Sequence, residues 1–189
     1  CSGECVRLKN FVVHAEITGN TITTCGVHDY KFGDALTDTD ADKNGEGIYI
    51  GTSINQWEDF GEDRCNENLI KDNSITTNGN ECVETKEGAS DNVIEHNTCS
   101  DQNDSESGCF ASRGDANTIR YNDASNCRGA GVRIGGGTDV ATNYMYGQMN
   151  NVHDNTFERA LEAALTVRVM PQGMICGNSC EDCTRGIER

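Results

Sequence analysis

The sequence is poor in proline, aromatic residues, leucine and positive charge, and each shortage excludes a class of protein. Proline occurs once, at Pro171, so the chain is neither a proline-rich linker nor a disordered protein. Aromatic residues make up 6% of the 189 residues, and the abundance of Gly, Asn, Asp and Thr favours many short strands and tight turns. No apolar run approaches the roughly 20 residues that span a bilayer, so we expect no membrane insertion.

Acidic residues outnumber basic residues by 31 to 15, which gives a net charge of -16. Nucleic acids and anionic membrane surfaces bind proteins through a dominant basic patch. We therefore expect no nucleic-acid partner. The acidity instead indicates solubility or the binding of cations.

Eleven cysteines in a chain of this length indicate an oxidising compartment, and so a secreted, extracellular protein. An odd number leaves one thiol free or paired outside the chain. The triplet Asn103-Asp104-Ser105 makes Asn103 an acceptor for N-glycosylation, which suits a secreted loop.

A paired motif recurs about every two dozen residues. Its first half is an Ile-x-x-Asn segment, such as Ile94-Glu95-His96-Asn97, and its second half is a short alternating strand that ends at glycine, such as residues 81–88, 108–114 and 130–135. Aligning the first halves places six asparagines at one position: Asn20, Asn73, Asn97, Asn122, Asn155 and Asn178. Five residues before four of them lies a second series: Asn68, Asn92, Asn117 and Asn150. Such a period predicts a solenoid in which asparagine side chains stack from coil to coil.

Leucine-rich repeats share this period but require many leucines, which are scarce here. The sequence therefore predicts an all-β fold, a single right-handed parallel β-helix. It would be a pectate-lyase-like solenoid of about six coils, stabilised by disulfides. We expect one domain over residues 1–189, with an N-terminal cap at 1–10, acidic insertions at 27–44 and 52–64, and regular coils at 65–183.

Alternation in the second strand of each coil sorts its side chains into two sets. The inward set is Ile48, Val83, Phe110, Val132 and Leu165. The outward set contains Tyr49, Glu84, Arg133, Lys86, Arg113 and Arg168. Because neighbouring coils lie roughly 4.8 Å apart, Lys86 and Arg113 should project side by side, with Arg133 near and Glu84 between. We expect a basic cluster there. The alternative is a set of ion pairs that only covers the sheet, as Lys71, Glu95 and Arg120 should do on another strand.

A basic cluster of this kind is suited to β-elimination on a uronate-containing polysaccharide. A lysine can remove the acidic proton beside the carboxyl group, an arginine can assist the departing oxygen, and a further cation can stabilise the enolate. Crowding by cations should lower the pKa of Lys86 toward that of a useful base. We expect Glu84, Arg133 and Arg168 to contact the substrate. Tyr49 and Trp57 would stack on sugar rings, although Trp57 would equally serve to pin its insertion onto the coil.

Three segments of this region carry a resemblance to a known family. They are Glu81-x-x-x-x-Lys86-x-x-x-x-x-Asn92, Ser112-Arg113-Gly114-x-x-Asn117 and Gly131-Val132-Arg133-Ile134-x-Gly136. Over about 55 residues the chain resembles the catalytic core of the alginate lyase and chondroitinase B family of β-helical polysaccharide lyases. The resemblance implies that Lys86 is the Brønsted base, Arg113 the Brønsted acid, and Glu81 a ligand of a calcium ion that neutralises the substrate carboxylate. The family has a second acidic ligand where this chain has Gly79, and a histidine where it has Gly114.

A second calcium site is indicated within the first insertion, where oxygen-bearing side chains alternate along the chain. Its ligands would be Asp38, Asp40, Asp42 and Glu46, because Ca²⁺ takes six to eight oxygen ligands. The alternative is a solvated acidic loop.

Cysteine positions indicate cross-links between coils. Cys82 and Cys109 occupy equivalent positions on adjacent coils, close enough for a disulfide if their geometry permits. For Cys176, Cys180 and Cys183 we expect disulfides rather than zinc, because the compartment is oxidising and no histidine is near.

Two functions from different classes follow. The first is a secreted carbohydrate-active β-helix, a candidate lyase whose partner is a polysaccharide or cell-surface glycan. The second is a structural or glycan-binding extracellular module that self-assembles in a wall, sheath or filament. Ice binding would require a flat outward ladder of threonines, and the outward positions of the second strand are mixed and charged.

Overall fold

The structure is a computed structural model, and it describes residues 3–25, 45–77 and 79–188. Most of the regular structure is short strand. In chain order the strands are β1 (Val6–Leu8), β2 (Glu16–Thr18), β3 (Thr21–Cys25), β4 (Ile48–Ile50), β5 (Leu69–Lys71), β6 (Ser74–Thr77), β7 (Val83–Thr85), β8 (Val93–Glu95), β9 (Thr98–Ser100), β10 (Gly108–Ser112), β11 (Thr118–Arg120), β12 (Asp123–Cys127), β13 (Ala130–Ile134), β14 (Thr138–Asp139), β15 (Tyr144–Met145), β16 (Asn151–His153), β17 (Thr156–Ala160), β18 (Leu165–Val167), β19 (Ile175–Cys176), β20 (Ser179–Glu181) and β21 (Ile187–Glu188). A 3₁₀ helix (Ile54–Gln56) and a single helical turn, α1 (Trp57–Phe60), lie between β4 and β5.

Most of these strands form three parallel sheets, and each coil contributes one strand to each sheet. Sheet A has the order β1-β4-β7-β10-β13-β18-β21, sheet B the order β19-β16-β11-β8-β5-β2, and sheet C the order β20-β17-β12-β9-β6-β3. Strands of consecutive coils therefore lie side by side. This is the parallel β-helix of about six coils that the sequence predicts.

The turn between sheets B and C explains the repeated asparagine. In each coil two residues join the sheets, and the first of them has a left-handed backbone, as Asp72, His96 and Tyr121 do with φ near 54°. The second is the ladder asparagine, whose side-chain oxygen accepts hydrogen bonds from the asparagine of the preceding coil. The backbone N–H and the side-chain amide of Asn73, for example, donate to Asn97 Oδ1 at 3.0 and 2.9 Å. The ladder thus satisfies the polar groups of a buried turn.

The predicted second ladder is also present, at the turn that enters sheet B. Asn68 donates to Asn92, Asn92 to Asn117, and Asn117 to Asn150, each from its backbone N–H at 2.9 to 3.0 Å. Left-handed residues precede these positions too, among them Ala116 with a φ of 55°. Such a backbone costs roughly 1–2 kcal/mol for a residue other than glycine, and the ladder offsets that cost.

Apolar side chains fill the interior in the register that the sequence predicts. In sheet A, Ile48 pairs with Val83, Val83 with Phe110, Phe110 with Val132, and Val132 with Leu165. All five are essentially inaccessible to solvent. Because the inward row is fixed, the side chains between these positions must face outward from sheet A.

The chain departs from the predicted boundaries in three places. Residues 6–8 lie in the segment assigned to a cap, but they form β1 and pair with β4; the strand was missed because no Ile-x-x-Asn segment precedes it. Sheet A also continues past residue 183 into β21. The antiparallel hairpin β14–β15 was not predicted, and it accounts for the spacing of 33 residues in the ladder.

The expected disulfide between Cys82 and Cys109 is wrong. Cys82 is bonded to Cys99 and Cys109 to Cys127, while Cys5 is bonded to Cys25 and Cys180 to Cys183. Equivalent side chains on adjacent parallel strands project in parallel about 4.8 Å apart, which exceeds the roughly 3.8 Å between the Cβ atoms of a disulfide. Each of these two cysteines instead meets a cysteine of sheet C in the following coil. Among the described cysteines, Cys65 is a buried free thiol and Cys176 an exposed one.

The outward face of sheet B carries the predicted ion-pair ladder. One carboxylate oxygen of Glu95 accepts a hydrogen bond from Arg120 Nε at 2.8 Å, and the other lies 3.3 Å from Lys71 Nζ. The two basic groups lower the pKa of Glu95 against the effect of its burial. In the part of the chain that the structure describes, there is no helix with the length and apolarity that crossing a bilayer requires.

Substituting Asn97→Ala tests the ladder, because Asn97 connects three coils. Its loss leaves the N–H of Asn73 and the carbonyl of Ile70 without their partner, and a buried group without a partner costs about 1–3 kcal/mol. We expect the free energy of unfolding in urea to fall by about 3 kcal/mol or more. The exposed Asn55→Ala is the control, and a loss no larger than that of the control would contradict this role of the ladder.

Candidate functional site

A pocket of about 210 Å³ lies on the outward face of sheet A. Its floor is set by the register, because Glu84 pairs with Ala111 and Ala111 with Arg133 on three consecutive strands. Lys86, Arg113 and Arg168 immediately follow the strand positions Thr85, Ser112 and Val167. They emerge at the same edge of the sheet for the reason that the sequence predicts.

Alternation predicts a basic cluster with Glu84 between its members, and the pocket adds further carboxylates to it. Four basic side chains line it: Lys86, Arg113, Arg133 and Arg168. Five carboxylates line it as well: Glu46, Glu81, Glu84, Asp104 and Glu106. The chain therefore brings opposite charges together, with carboxylates mainly toward the start of the strands and arginines toward the later coils.

Lys86 is 7% exposed and forms an ion pair with Glu84. Burial lowers the pKa of Lys86, but Glu84, with smaller contributions from Tyr49 and Glu81, raises it above its ordinary value. The prediction that the pKa of Lys86 is lowered is wrong. Arg113 does lower it, but Glu84, the outward residue two positions earlier, is in direct contact and outweighs that effect. The raised pKa favours the protonated form of Lys86.

Arg113 lies beside Lys86 and is held by a different carboxylate. Its Nε and Nη2 contact Glu87 Oε1 at 2.7 and 2.5 Å, and its Nη1 lies 4.0 Å from Glu84 Oε1. Burial lowers the pKa of Arg113, whereas Glu87 and Glu84 raise it, and the net shift is upward. The guanidinium is a fixed cation at the side of the pocket.

Arg133 has the opposite balance of charges. Burial, Arg113 and Arg168 all lower its pKa, and its buried Nε has no hydrogen-bond partner among the described residues. A buried N–H donor without a partner is costly. An anion that enters the pocket would remove that cost.

Three carboxylates could hold a metal ion. One oxygen each from Glu46, Glu81 and Glu84 lies within 4.8 Å of the others, and all three residues are buried. Glu81 accepts a hydrogen bond from Ser107 Oγ, while its second oxygen and Asn80 Oδ1 are buried and have no partner among the described residues. Burial, reinforced by Glu84, raises the pKa of Glu81 to about 8, which reflects how poorly this cluster tolerates its own negative charge.

Two residues predicted for separate calcium sites are therefore neighbours here, namely Glu46 and Glu81. Asp38, Asp40 and Asp42, predicted as ligands together with Glu46, lie outside the described residues. Glu84, predicted to contact substrate, also belongs to the carboxylate cluster.

The aromatic residues predicted to stack on sugars do not line the pocket. Tyr49 is 5% exposed, and its ring lies between Arg7 and Lys86, each 4.6 Å from the ring centroid. Trp57 donates from Nε1 to the carbonyl of Thr52 and packs edge-on against Tyr146. Trp57 thus pins its insertion, which is the second of its two predicted roles.

Asn103, the predicted glycosylation site, is exposed on the side of the β-helix near Arg128, whose Nη1 donates a hydrogen bond to its Oδ1 at 3.2 Å.

Sequence reasoning missed Asn80, Ser107 and Glu87. Asn80 and Ser107 lie outside the repeat motif, and Glu87 falls in the turn after β7, where alternation no longer assigns a direction.

Comparison with known proteins supports the fold. The family described as "Right handed beta helix region" matches residues 5–167. The crystal structure of alginate lyase from Paenibacillus sp. str. FPU-7 superposes with a TM-score of 0.78 at 16% identity. The alignment covers 100% of this chain and 61% of that one, so the chain spans about three-fifths of the length of that enzyme. At this identity the likeness concerns the fold. No curated protein matches the sequence.

Glu81→Gln tests the electrostatics of the carboxylate cluster. Because the folded protein raises the pKa of Glu81 from 4.5 to about 8, the folded state retains a proton that the unfolded state releases. The stabilisation that this bound proton gives the folded state is complete below pH 4.5 and is lost as the pH rises through about 8. With chelator present, we expect the free energy of unfolding of the wild type to fall over this interval by a few kcal/mol relative to Glu81→Gln, since each tenfold difference in proton affinity between the two states corresponds to about 1.4 kcal/mol. Parallel pH profiles for the wild type and Glu81→Gln would contradict it, and the exposed Glu58→Gln serves as control.

Proposed function

Because the chain belongs to the right-handed β-helix family, we propose that it is an extracellular polysaccharide lyase that cleaves a uronate-containing glycan by β-elimination. The observation that carries the proposal is the meeting of Lys86 and Arg113 with Arg133 and Arg168 in one pocket on sheet A. Three disulfides between sheets A and C support an oxidising, extracellular compartment. The superposition on an alginate lyase supports a polysaccharide as substrate.

Lys86 is the proposed base. In its neutral form its amine takes the proton from the carbon beside the uronate carboxyl group, and the electron pair of that C–H bond forms the new carbon–carbon double bond. The bond from the adjacent carbon to the glycosidic oxygen breaks at the same time. The products are a shortened glycan and an unsaturated uronate, and the proton on Lys86 returns to solvent.

Arg113 is the proposed partner of the departing oxygen. Its Nη1 is the edge that faces Glu84 and the pocket, and a charged N–H group there stabilises negative charge as it develops on the oxygen. The raised pKa of Arg113 favours this role as a charged hydrogen-bond donor. The proton that the oxygen finally takes then comes from solvent.

Arg133 and Arg168 are the proposed contacts of the glycan's carboxylates. The unpartnered Nε of Arg133 would gain an acceptor, and a planar guanidinium matches a carboxylate in geometry. Gly135 separates Arg113 from Arg168 in the row, since Ser112 pairs with Ile134 and Ile134 with Val167. The gap leaves room for a sugar ring above the sheet.

Calcium is the proposed cofactor, and the residues present fit it. Glu46, Glu81 and Glu84 offer carboxylates, and Asn80 offers a buried carbonyl oxygen without a partner among the described residues, which together form the all-oxygen ligand set that Ca²⁺ prefers. When bound, Ca²⁺ supplies positive charge next to the substrate carboxylate. Glu46 and Glu84 would take the place of the second acidic ligand of the family, whose position is occupied by Gly79.

A second function, glycan binding without cleavage, is favoured by one observation. The ion pair with Glu84 raises the pKa of Lys86 and so favours its protonated form, and a protonated lysine cannot act as a base. Under the lyase proposal the same observation requires activity to increase toward alkaline pH, as the neutral form of Lys86 becomes populated.

Ultraviolet absorbance of unsaturated uronate products tests the proposal. Alginate, pectate, chondroitin and dermatan sulfate are the substrates, each with calcium and with chelator. We expect one of them to yield product with calcium, and Lys86→Ala to reduce kcat by at least about 100-fold, the scale on which a positioned base contributes.

Lys71→Ala is the matched control, because Lys71 is also an ion-paired lysine on an outward face but lies on sheet B. It should retain wild-type turnover. Glycan binding without product by the wild type would replace the lyase with the glycan-binding function.

A further inference from the structure

Glu87 is an unusual residue for its position. It follows Lys86 in the turn after β7, and its side chain has no exposure to solvent. An ionised carboxylate in such a place is strongly destabilising unless it is paired and hydrogen-bonded. Its partners therefore indicate why a glutamate stands there.

The partners come from three separate parts of the chain. Oε1 contacts Nε and Nη2 of Arg113 at 2.7 and 2.5 Å and accepts the backbone N–H of Gly137 at 3.1 Å. Oε2 accepts the backbone N–H of Ile54 at 3.1 Å. Glu87 thus joins Arg113 of the next coil to the 3₁₀ helix of one insertion and to the start of the β14–β15 hairpin.

The backbone around Glu87 is packed for this contact. A Cβ atom on Gly136 would lie 2.2 Å from the carbonyl oxygen of Arg113 and 3.2 Å from Glu87 Cγ. Only glycine permits the hairpin segment to approach so closely. The carboxylate is held from both of its oxygens, so its orientation is fixed before any ligand binds.

This arrangement divides the guanidinium of Arg113 into two edges. The edge formed by Nε and Nη2 is occupied by Glu87, and Nη1 is left toward the pocket, 4.0 Å from Glu84 Oε1. Arginine has several rotatable bonds, and a free guanidinium would sample many positions. The contacts with Glu87 remove that freedom.

We propose that Glu87 is a positioning residue that fixes Arg113 so that its Nη1 edge faces the departing oxygen of the glycan. The proposal rests on the lyase function proposed above. Glu87 touches neither substrate nor reacting atoms and acts only through Arg113. The 3₁₀ helix (Ile54–Gln56) and the start of the β14–β15 hairpin hold Glu87 in turn, which gives both segments a part in the site although neither lines the pocket.

Glu87→Gln keeps the shape of the side chain and removes its charge, and a misplaced catalytic group costs up to roughly 100-fold in rate. We expect kcat to fall about 10- to 100-fold with little change in KM, because the contact of Arg113 with the oxygen forms only as the bond breaks. Glu87→Asp, which restores the charge on a shorter side chain, should recover part of this loss.

Glu95→Gln is the matched control. Glu95 binds Arg120 through Nε and Nη2 as Glu87 binds Arg113, but on sheet B, away from the pocket. The control reports what the loss of such a pair does to folding alone. Equal losses of kcat in Glu87→Gln and Glu95→Gln would overturn the proposal.

A second measurement does not depend on activity. In the ¹H–¹⁵N spectrum, the Nε–H of Arg113 should give a slowly exchanging signal, identified by its absence from Arg113→Lys. We expect Glu87→Gln to shift this signal and accelerate its exchange, and Glu95→Gln to leave it unchanged. A wild-type protein that cleaves no glycan would refute the lyase function, and the spectrum would still decide whether Glu87 holds Arg113. An unchanged signal in Glu87→Gln would refute the positioning role in either case.

Discussion

The stacking of asparagine side chains is the interaction on which the rest of the structure depends. Each turn between sheets B and C requires a left-handed residue and buries polar backbone groups that no strand can satisfy. Asn73, Asn97 and Asn122 satisfy them in the adjacent coil, and this locks consecutive coils into one register. Because the register is fixed, residues at equivalent positions of sheet A lie about 4.8 Å apart, and the pocket is a consequence of that spacing.

The pocket contains a cluster of carboxylates and a cluster of cations, and the repulsion within each cluster is unfavourable. Glu46, Glu81 and Glu84 accumulate negative charge that raises the pKa of Glu81, while Arg133 lies among cations that lower its own pKa. Under the proposed function, a cation bound by the glutamates and a glycan carboxylate bound by Arg133 would relieve both. The proposed complementarity would allow a protein of net charge -16 to bind a polyanion.

Much of the fold could be predicted because the same sequence pattern recurs in every coil of a solenoid. The spacing of Asn73, Asn97 and Asn122 defined the coils, and alternation from Val83 and Phe110 placed Lys86 beside Arg113. The predictions that failed concern features that the repeat does not determine. The pairing of Cys82 with Cys99 depends on the angle between two sheets, and the pKa of Lys86 depends on one contact with Glu84. Glu87 lies in a turn, and its side chain is oriented by contacts with the 3₁₀ helix and the start of the β14–β15 hairpin. Neither segment belongs to the repeat, so no sequence pattern predicts the contact of Glu87 with Arg113.

The most direct test of the proposed site is a crystal structure of Lys86→Ala with calcium and an oligosaccharide of the cleaved glycan. We expect the oligosaccharide on sheet A, with a carboxylate in hydrogen-bond contact with Arg133 and the adjacent carbon facing position 86. Its glycosidic oxygen should lie next to Arg113 Nη1. An oligosaccharide bound on another face, with the pocket left to solvent at saturating glycan, would contradict the proposed site.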